Sequence, residues 1–393
     1  MYVTLTIGLA YFVVNINIVI LAPLLGFMGP ELGLSVVEYA LILSAFPLVA
    51  LPSNIIFGSL ADRMGRKTFL LMGSVGCAIS FMLTMFCNDG VGIALLRAST
   101  GLFMPMIGAS VFASIPDYFQ PSQRAKVIGY VSAASSLAQL IAVPFGVFVA
   151  ETLDWRASFA ILSIITAVLS ILVFLLPRPQ YFVLVRQPIG TARSYVKGIR
   201  SLFDNGQIVG SLVGHMMFIC AVFTFLSLYP TWILTREQET QISHITSTIF
   251  FAGGVGGVVG ALFSGPISAR LKSPIFLCAL LSGMTVIPVV LSPIAGSDLI
   301  GQLSCYSAFS IFRSALVPSL ISGAMAMVSS NQRGSMNGLL NAIFQCGAGF
   351  GGILSTLLYS IDNTFFLNAA VSSILLAIAA LLFFRSTGPI QNK

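Results

Sequence analysis

Twelve long apolar stretches constrain this chain more than any other feature of its sequence. Each is about twenty residues long, the length that an α-helix needs to cross the hydrocarbon core of a bilayer. A backbone inside lipid must satisfy its own hydrogen bonds, so such stretches predict helices rather than open strands. The predicted spans are 4–27, 37–61, 69–88, 91–115, 125–150, 157–176, 207–230, 244–269, 274–294, 299–328, 334–360 and 363–384.

The composition indicates a surface that faces lipid. Hydrophobic residues make up 57% of the 393 residues and charged residues only 8%, whereas a soluble domain carries roughly a quarter of charged residues. The formal charge of +7 comes from basic residues in short loops between the apolar stretches, so we interpret it as a topology signal and expect no nucleic-acid partner. The sequence predicts an all-α membrane protein with twelve transmembrane helices.

The distribution of basic residues predicts how the spans are oriented. Lys and Arg concentrate in every second loop, and the intervening loops contain only Arg156 and Arg236. Because basic loops stay on the cytoplasmic side, we expect both termini in the cytoplasm, as in a multi-pass protein of the cell inner membrane. No Lys or Arg precedes Arg63, so the first stretch is interpreted as an uncleaved span rather than a signal peptide.

The chain contains two related halves. Gly58–Arg63 has a weakened counterpart in Gly265–Arg270, and Gln123–Gly129 has one in Gln332–Gly338, displaced by nearly the same distance. Parallel repeats pack about an axis along the membrane normal and leave a site near mid-membrane. The predicted organisation is an N-terminal six-helix bundle over 1–176, a cytoplasmic linker over 177–206 and a C-terminal six-helix bundle over 207–393.

The loop between the second and third spans carries the most specific motif. It reads Gly58-Ser-Leu-Ala-Asp62-Arg63-Met-Gly65-Arg66-Lys67 and closely resembles the signature loop of the major facilitator superfamily. The twelve-span layout extends this resemblance to essentially the whole chain. The resemblance implies a secondary transporter of two pseudo-symmetric six-helix bundles.

These loop residues also have direct physical roles. Gly58 permits close helix approach, and Gly65 permits a backbone turn that a Cβ would resist. Asp62 can complement the positive end of span eleven, and Arg63 and Arg66 can pair with Asp117. In the family such contacts latch the cytoplasmic side; alternatively, the basic residues only fix the topology. The residues assigned to this gate are Gly58, Asp62, Arg63, Gly65, Arg66, Asp117 and Arg124.

A proline motif relates the chain to one branch of this family. Span five contains Ala-Val143-Pro144-Phe-Gly146, followed by Trp155-Arg156 at the start of span six. This resembles the motif of the drug/proton antiporter and small-metabolite efflux branch, although Val143 replaces its usual glycine and the second glycine pair is missing. Trp155 and Arg156 are equally interpreted as anchors at the membrane surface.

Two arginines fall within predicted spans, where an ionised group is costly. Arg97 is followed four residues later by Gly101, which resembles the family's buried-arginine motif; alternatively, its side chain reaches outward to the membrane surface. Arg313 lies in the middle of span ten and is the main candidate for contact with substrate or a counter-charge. Since no acid lies mid-membrane, Arg313 favours a neutral or anionic, amphipathic substrate.

Polar and aromatic residues at helical spacing supply further candidates, although such residues are also ordinary helix contacts. The candidates for the substrate cavity are Arg313, Asn15, Asn17, Gln139, Phe218, Tyr306, Asn337, Asn341 and Gln345. The candidates for proton coupling are His215, Arg97, Glu38 and Glu151. Dense glycines in spans eight and eleven are expected to pack the two halves together.

The resulting hypothesis is proton-coupled efflux of a drug or metabolite by alternating access, through a monomer that uses protons as its coupling ion. The alternatives are an uncoupled facilitator or importer and a lipid or glycolipid translocator. An enzyme or receptor is disfavoured, because the sequence has neither a clustered catalytic group at membrane depth nor a sizeable soluble domain. The six cysteines show no metal-ligand spacing, so no metal, cofactor or catalytic residue is predicted.

Overall fold

The structure is a computed structural model that describes residues 1–177, 200, 202–236, 242–271, 273–296, 298–328 and 332–387. All regular secondary structure in these residues is helical. The helices of the first half are α1 (Tyr2–Val19), α2 (Leu21–Leu32), α3 (Val36–Met64), α4 (Arg66–Thr84), α5 (Gly90–Ala113), α6 (Ile115–Tyr118), α7 (Pro121–Thr152) and α8 (Trp155–Phe174).

The second half continues the numbering. Its helices are α9 (Gly206–Leu226), α10 (Tyr229–Arg236), α11 (Ile242–Arg270), α12 (Pro274–Ala295), α13 (Leu299–Ala326), α14 (Arg333–Ile361) and α15 (Phe366–Arg385).

Twelve helical stretches in the described part of the chain are long and apolar enough to cross a membrane. One of them coincides with each predicted span, so the predicted fold class is confirmed. Many large apolar side chains on these helices are exposed, among them Leu95, Ile164, Phe263 and Leu381. Such a surface is unfavourable in water and is the expected one for helices that face lipid.

Proline explains where two of the predicted spans are interrupted. The span predicted over 4–27 breaks at Ile20, because α1 ends at Val19, four residues before Pro23. In the second half α9 ends at Leu226, four residues before Pro230. Proline has no N–H for the carbonyl four residues earlier, and its ring clashes with that carbonyl. The sequence therefore contains the signal for both breaks.

Contacts divide the chain into two compact units. The first contains α1 to α8 together with residues 242–247, and the second contains the remaining described helices. In the first unit α1 packs on α7, and α4 packs on both α5 and α8. The equivalent helices of the second unit repeat these pairings, because α9 packs on α14 and α12 packs on α13 and α15. The two units thus repeat one packing scheme, as the sequence repeat suggests.

The glycine-rich segments of spans eight and eleven pack helices within the second half. A Cβ at Gly253 would meet the Tyr306 ring at 2.3 Å, and one at Gly260 would meet the Ile311 carbonyl oxygen at 2.1 Å. On α14, a Cβ at Gly347 would lie 3.0 Å from the Met216 carbonyl oxygen of α9, and one at Gly351 would lie 2.6 Å from that of Cys220. The nearest neighbours of these glycines all belong to the second half. The expectation that they pack the two halves together is therefore wrong for these four positions.

Candidate functional site

The turn between α3 and α4 depends on Gly65. Its φ angle of 91° lies in the region that favours glycine, which confirms the prediction of a turn that a Cβ would resist. The turn brings the next two residues, Arg66 and Lys67, to the ends of neighbouring helices. The side chains of Asp62 and Arg63, like any contact of Gly58, lie outside the described part of the structure, so their predicted roles stay predictions.

Arg66 connects the start of α4 to the end of α5. Its Nη1 lies 3.0 Å from Asp117 Oδ1 and also donates to the carbonyl of Ala113, the last residue of α5. Lys67 Nζ donates to the carbonyl of Leu176 at 2.5 Å, just beyond α8. Carbonyls at helix C-termini lack partners within the helix and are stabilised by cations. The predicted pairing of Arg66 with Asp117 is present, and these side chains join three helices at one end of the first unit.

Arg124 has a more local role than its place in the predicted gate suggests. Its Nε donates to the Phe119 carbonyl at 3.1 Å and its Nη2 to the Pro116 carbonyl at 3.4 Å. It therefore stabilises the C-terminal end of the short helix α6 next to Asp117. Burial, with a further contribution from the Asp117 charge, raises the pKa of Tyr118 to about 12. This phenol accordingly stays neutral beside the ion pair.

Arg97 is enclosed by the helices of the first unit. It is only 4% exposed, its Nη1 donates to Asn17 Oδ1 at 2.7 Å, and its guanidinium lies 5.0 Å from the centre of the Phe46 ring. This placement rules out the alternative in which the side chain reaches outward to the membrane surface. Gly101 makes it possible, because a Cβ there would lie 2.5 Å from the Phe46 carbonyl oxygen.

The two asparagines of α1 point to different neighbours. Asn17 has no exposed surface and binds Arg97 on α5, whereas Asn15 accepts a hydrogen bond from Ser135 of α7 at 2.8 Å. Asn15 also donates to the carbonyl of Tyr11 at 2.7 Å. Asn17 therefore lines no water-accessible cavity in this conformation, which does not support its assignment to the substrate cavity. Asn15 is part-buried in a contact between α1 and α7.

The acids predicted for proton coupling lie at helix ends. Glu38 forms a capping box at the start of α3: its Oε2 accepts from the Ser35 backbone N–H at 2.9 Å, and the Glu38 N–H donates back to Ser35 Oγ at 3.3 Å. The signal for this role, Ser35-x-x-Glu38, is present in the sequence. The capping contacts explain Glu38 without a proton-carrying role. Glu151 is exposed near the end of α7.

His215 is the buried titratable side chain of α9. It is 5% exposed, and its Nδ1 is buried with no partner among the described residues. Phe218, one turn further along, has no exposed surface. Phe218 therefore packs inside the second unit and, in this conformation, lines no water-accessible cavity.

Tyr306 belongs to an aromatic cluster of the second unit, formed with Tyr229 and Phe250. Its ring stacks on Tyr229 with centroids 5.2 Å apart and an interplanar angle of 5°, and it lies 4.5 Å from the ring of Phe250. The Tyr229 hydroxyl donates to Gln302 Oε1 at 2.7 Å, which fixes the stack. Tyr306 is thus a rigid, mostly buried side chain of α13.

Arg313 lies near the middle of α13 and makes no hydrogen bond to a described residue. Arg97 differs from it through the bond of its Nη1 to Asn17, although Arg97 Nε also lacks an acceptor. The Nε of Arg313 is buried, and no described residue accepts a hydrogen bond from it. The described ion pairs are those of Arg66 and Arg156, so none involves Arg313. Within the described helices every Asp and Glu lies near a helix end. The structure places a cation at membrane depth without a described counter-charge.

A stripe of amides runs along α14. Asn337 and Asn341 are exposed, and Asn341 donates to the Asn337 carbonyl at 3.1 Å. One turn later, Gln345 has a buried Oε1 without a partner among the described residues. Exposed amides are unfavourable against lipid and indicate a polar pathway. The side chain of Gln139, the remaining cavity candidate, lies outside the described residues.

A polar cluster at the other end of the first unit was missed by sequence reasoning. Glu31 of α2 accepts from Trp155 Nε1 at 2.8 Å and from Arg156 Nη1 at 2.5 Å, and Arg156 Nη2 donates to Asn88 Oδ1 at 3.0 Å. Trp155 is 1% exposed, so its interpretation as an anchor at the membrane surface is wrong. The only available sequence signal was the Trp-Arg pair, which does not reveal its partners.

These observations define a class of protein before any comparison. In the described part of the chain, twelve apolar helical stretches form two units that share a set of helix pairings, and polar groups lie at membrane depth. This is the construction of a polytopic membrane transporter with duplicated bundles. The family model of the Major Facilitator Superfamily matches residues 7–308, and the chain belongs to this superfamily.

Individual relatives and solved structures are similar over most of the chain. An uncharacterised MFS-type transporter, YceJ, of Bacillus subtilis (strain 168) is 25% identical and aligns over 95% of this chain and 93% of its own. A probable sugar efflux transporter of Pasteurella multocida (strain Pm70) is 25% identical over 70% of this chain and 68% of its own.

Two solved transporters have the same fold. A bacterial homolog to the human lysosomal transporter Spinster gives a TM-score of 0.81 at 14% identity, covering 98% of this chain and 96% of that one. A D-xylose-proton symporter gives 0.78 at 15% identity, covering 100% and 99%. At these identities the likeness shows the fold alone.

Proposed function

We propose that this chain is a secondary active transporter that exports a neutral or anionic amphipathic small molecule in exchange for protons. The observation that carries the substrate class is Arg313, a cation at membrane depth with no described acceptor for its Nε. The positive charge of Arg313 disfavours cationic substrates near it, because like charges repel strongly where the dielectric is low. The transport is placed in the inner membrane, with both termini cytoplasmic and the monomer as the working unit.

The proposed direction of transport, export, is supported by a related protein and by a sequence motif rather than by distances in the structure. The Pasteurella multocida protein that aligns with 70% of this chain is described as a probable sugar efflux transporter. The proline motif around Pro144 favours the same direction. Export against a gradient needs an energy source, and an inward proton gradient is the one that a bacterial inner membrane supplies.

His215 is proposed as the group that carries the proton. It is a titratable side chain inside a membrane-spanning helix, and its Nδ1 has no described partner. Imidazole exchanges protons in the physiological range more readily than other side chains. Glu38 is a weaker candidate, because its carboxylate is engaged in the Ser35 capping box.

The Arg66–Asp117 pair is proposed as part of the cytoplasmic gate. Its geometry, with an N–O distance of 3.0 Å, holds the α3–α4 turn to the end of α5. Asp62, Arg63 and Gly58 are assigned to the same gate from the motif. Alternating access requires such a contact to form in one state and break in another.

The experiment is transport into proteoliposomes with an imposed pH gradient. Vesicles with an acidic lumen should accumulate a labelled substrate from a panel of sugars and amphipathic carboxylates, because protons leaving the lumen drive exchange. Nigericin, which collapses the gradient, should abolish accumulation, and protein-free vesicles should show none. Passive entry of weak acids favours an alkaline lumen, so it cannot imitate the expected result.

Three outcomes would overturn the proposal. Flux that is unchanged by nigericin would identify an uncoupled facilitator. Accumulation in vesicles with an alkaline lumen, beyond the passive accumulation in protein-free vesicles, would identify import with protons. His215→Gln should retain binding but lose the pH-driven component. Transport of labelled lipid in place of the soluble panel would identify a lipid translocator.

A further inference from the structure

The position of Arg313 restricts what can neutralise it. With the rise of an α-helix, it lies about 21 Å along α13 from Leu299 and about 20 Å from Ala326. A fully extended arginine side chain cannot reach an aqueous surface from that depth. The acids of the second half lie at helix ends in the described residues, at Asp298 and Asp362 for example. The neutralising group must therefore come from elsewhere.

The surroundings of Arg313 on its own helix are aromatic. Side chains on a helix lean toward its N-terminus, and the residue two turns earlier on the same face is Tyr306. The Tyr306 ring is held by its stack on Tyr229, and the close approach of α11 at Gly253 packs against the same ring. The guanidinium of Arg313 thus shares one face of α13 with the rigid aromatic ring of Tyr306.

The geometry points to a more specific ligand than the proposed function requires. We propose that Arg313 binds the carboxylate of a singly charged amphipathic organic acid, whose apolar part lies along the Tyr306 side of α13. A guanidinium forms two parallel hydrogen bonds with a planar carboxylate. The described membrane interior of the second half contains one arginine, so a monoanion is fully neutralised whereas a dianion keeps an unmatched charge. This inference rests on the proposed transport function and narrows its substrate to one class.

The test measures binding to the purified full-length protein with three matched probes. These are 4-butylbenzoate, its methyl ester and terephthalate, which supply a monoanion, a neutral isostere and a dianion. The monoanion should bind at least about tenfold more tightly than either of the others, as expected for a charge-assisted hydrogen-bonded pair at membrane depth. A wider set of amphipathic acids, each with its methyl ester, extends the test to other shapes.

Variants of Arg313 test whether this side chain causes the preference for the monoanion. Arg313→Gln should weaken binding of the monoanion about 10- to 100-fold and remove the difference between acid and ester. Arg313→Lys should retain part of the preference, since it keeps the charge but loses the planar fork. Arg385→Gln, at an exposed position near the end of α15, is the matched control and should bind like wild type. Thermal unfolding of each variant checks that it is folded.

The results separate this inference from the proposed function. It is overturned if acids and esters bind equally, if no acid in the set binds at millimolar concentration, or if Arg313→Gln and wild type discriminate alike. Proton-driven export of a neutral compound that Arg313→Gln leaves intact would refute the inference and leave the proposed function standing. Arg313-dependent acid binding without proton-driven export would do the reverse.

Discussion

Arg97 and Arg313 occupy corresponding helices of the two halves, yet their environments differ. Arg97 lies about 10 Å along α5 from Gly90 and is held by Asn17 and the Phe46 ring. Arg313 lies about twice as far along α13, and its Nε has no described acceptor. The Nε of Arg97 also lacks a described acceptor, but its Nη1 is bonded to Asn17, whereas Arg313 makes no hydrogen bond to a described residue. The difference teaches that a charged side chain inside the membrane indicates ligand binding only when no other residue of the protein pairs with it.

The largest effect is expected from Arg97→Met. The substitution removes the donor to Asn17 and leaves a buried amide oxygen without a partner, so the free energy of unfolding should fall by about 2–3 kcal/mol. The measurement is the apparent Tm of the purified protein in detergent. Arg385→Met, which changes an exposed arginine, is the control. If Arg97→Met unfolds at the wild-type temperature, the side chain is not a packing element and the comparison fails.

A somewhat smaller loss of stability, about 2 kcal/mol, is expected from Gly101→Ala. The new Cβ would lie 2.5 Å from the Phe46 carbonyl oxygen, so α3 and α5 would have to separate around Arg97. Gly108→Ala on the same helix is the control, because no atom lies within 4 Å of its Cβ position. The measurement is the Tm of each variant, and Gly101→Ala should unfold at a lower temperature than Gly108→Ala. Equal Tm values would show that close approach at Gly101 does not hold Arg97 in place.

Arg313→Met should change stability by at most about 1 kcal/mol, and in the opposite direction. Replacing a buried donor that has no partner with an apolar side chain of similar length is neutral or stabilising. The same variant should lose transport of anionic substrates at least about tenfold. Measuring Tm and flux on one preparation separates the two effects. A clear drop in Tm would reveal an internal partner for Arg313 and remove the contrast with Arg97.

The smallest effect is the coupling energy between partners. A double-mutant cycle with Arg97→Met and Asn17→Ala should give about 1 kcal/mol, the scale of interhelical hydrogen bonds in membranes. The parallel cycle with Arg313→Met and Tyr306→Phe should give a coupling close to zero, because no hydrogen bond is described between these two side chains. Both coupling energies are calculated from the unfolding free energies of the wild type, the single variants and the double variant in the same detergent. Similar values in the two cycles would erase the proposed distinction.

The sequence predicted those features that depend on solvation and on single-residue geometry. The apolar stretches gave twelve spans because a lipid environment admits few alternatives to a helix. The turn at Gly65 was predictable from residue type and local position. The pair of Arg66 and Asp117 joins different helices and was expected from the position of both residues at the same end of their spans. Pro23 and Pro230 also carried a local signal for helix breaks.

What the sequence could not supply was the identity of neighbours across helices. Asn17 and Phe218 seemed suited to a cavity, but both face other helices and are buried. Glu31 and Asn88 were overlooked because their partner, Arg156, is distant in the chain. For Glu38 the sequence also contained the Ser35 capping box, a contact that was not considered when its carboxylate was assigned to proton coupling.

The first unit is cross-linked at both ends. Arg66 and Lys67 connect α4 to the ends of α5 and α8, and Arg156 at the opposite end connects α8 to Glu31 and Asn88. Displacement of one of these helix ends therefore also displaces the helix ends that are bonded to it. The first unit is consequently suited to act as a lever, and elastic bending within it falls to mid-helix positions such as Pro47 and Pro52 of α3.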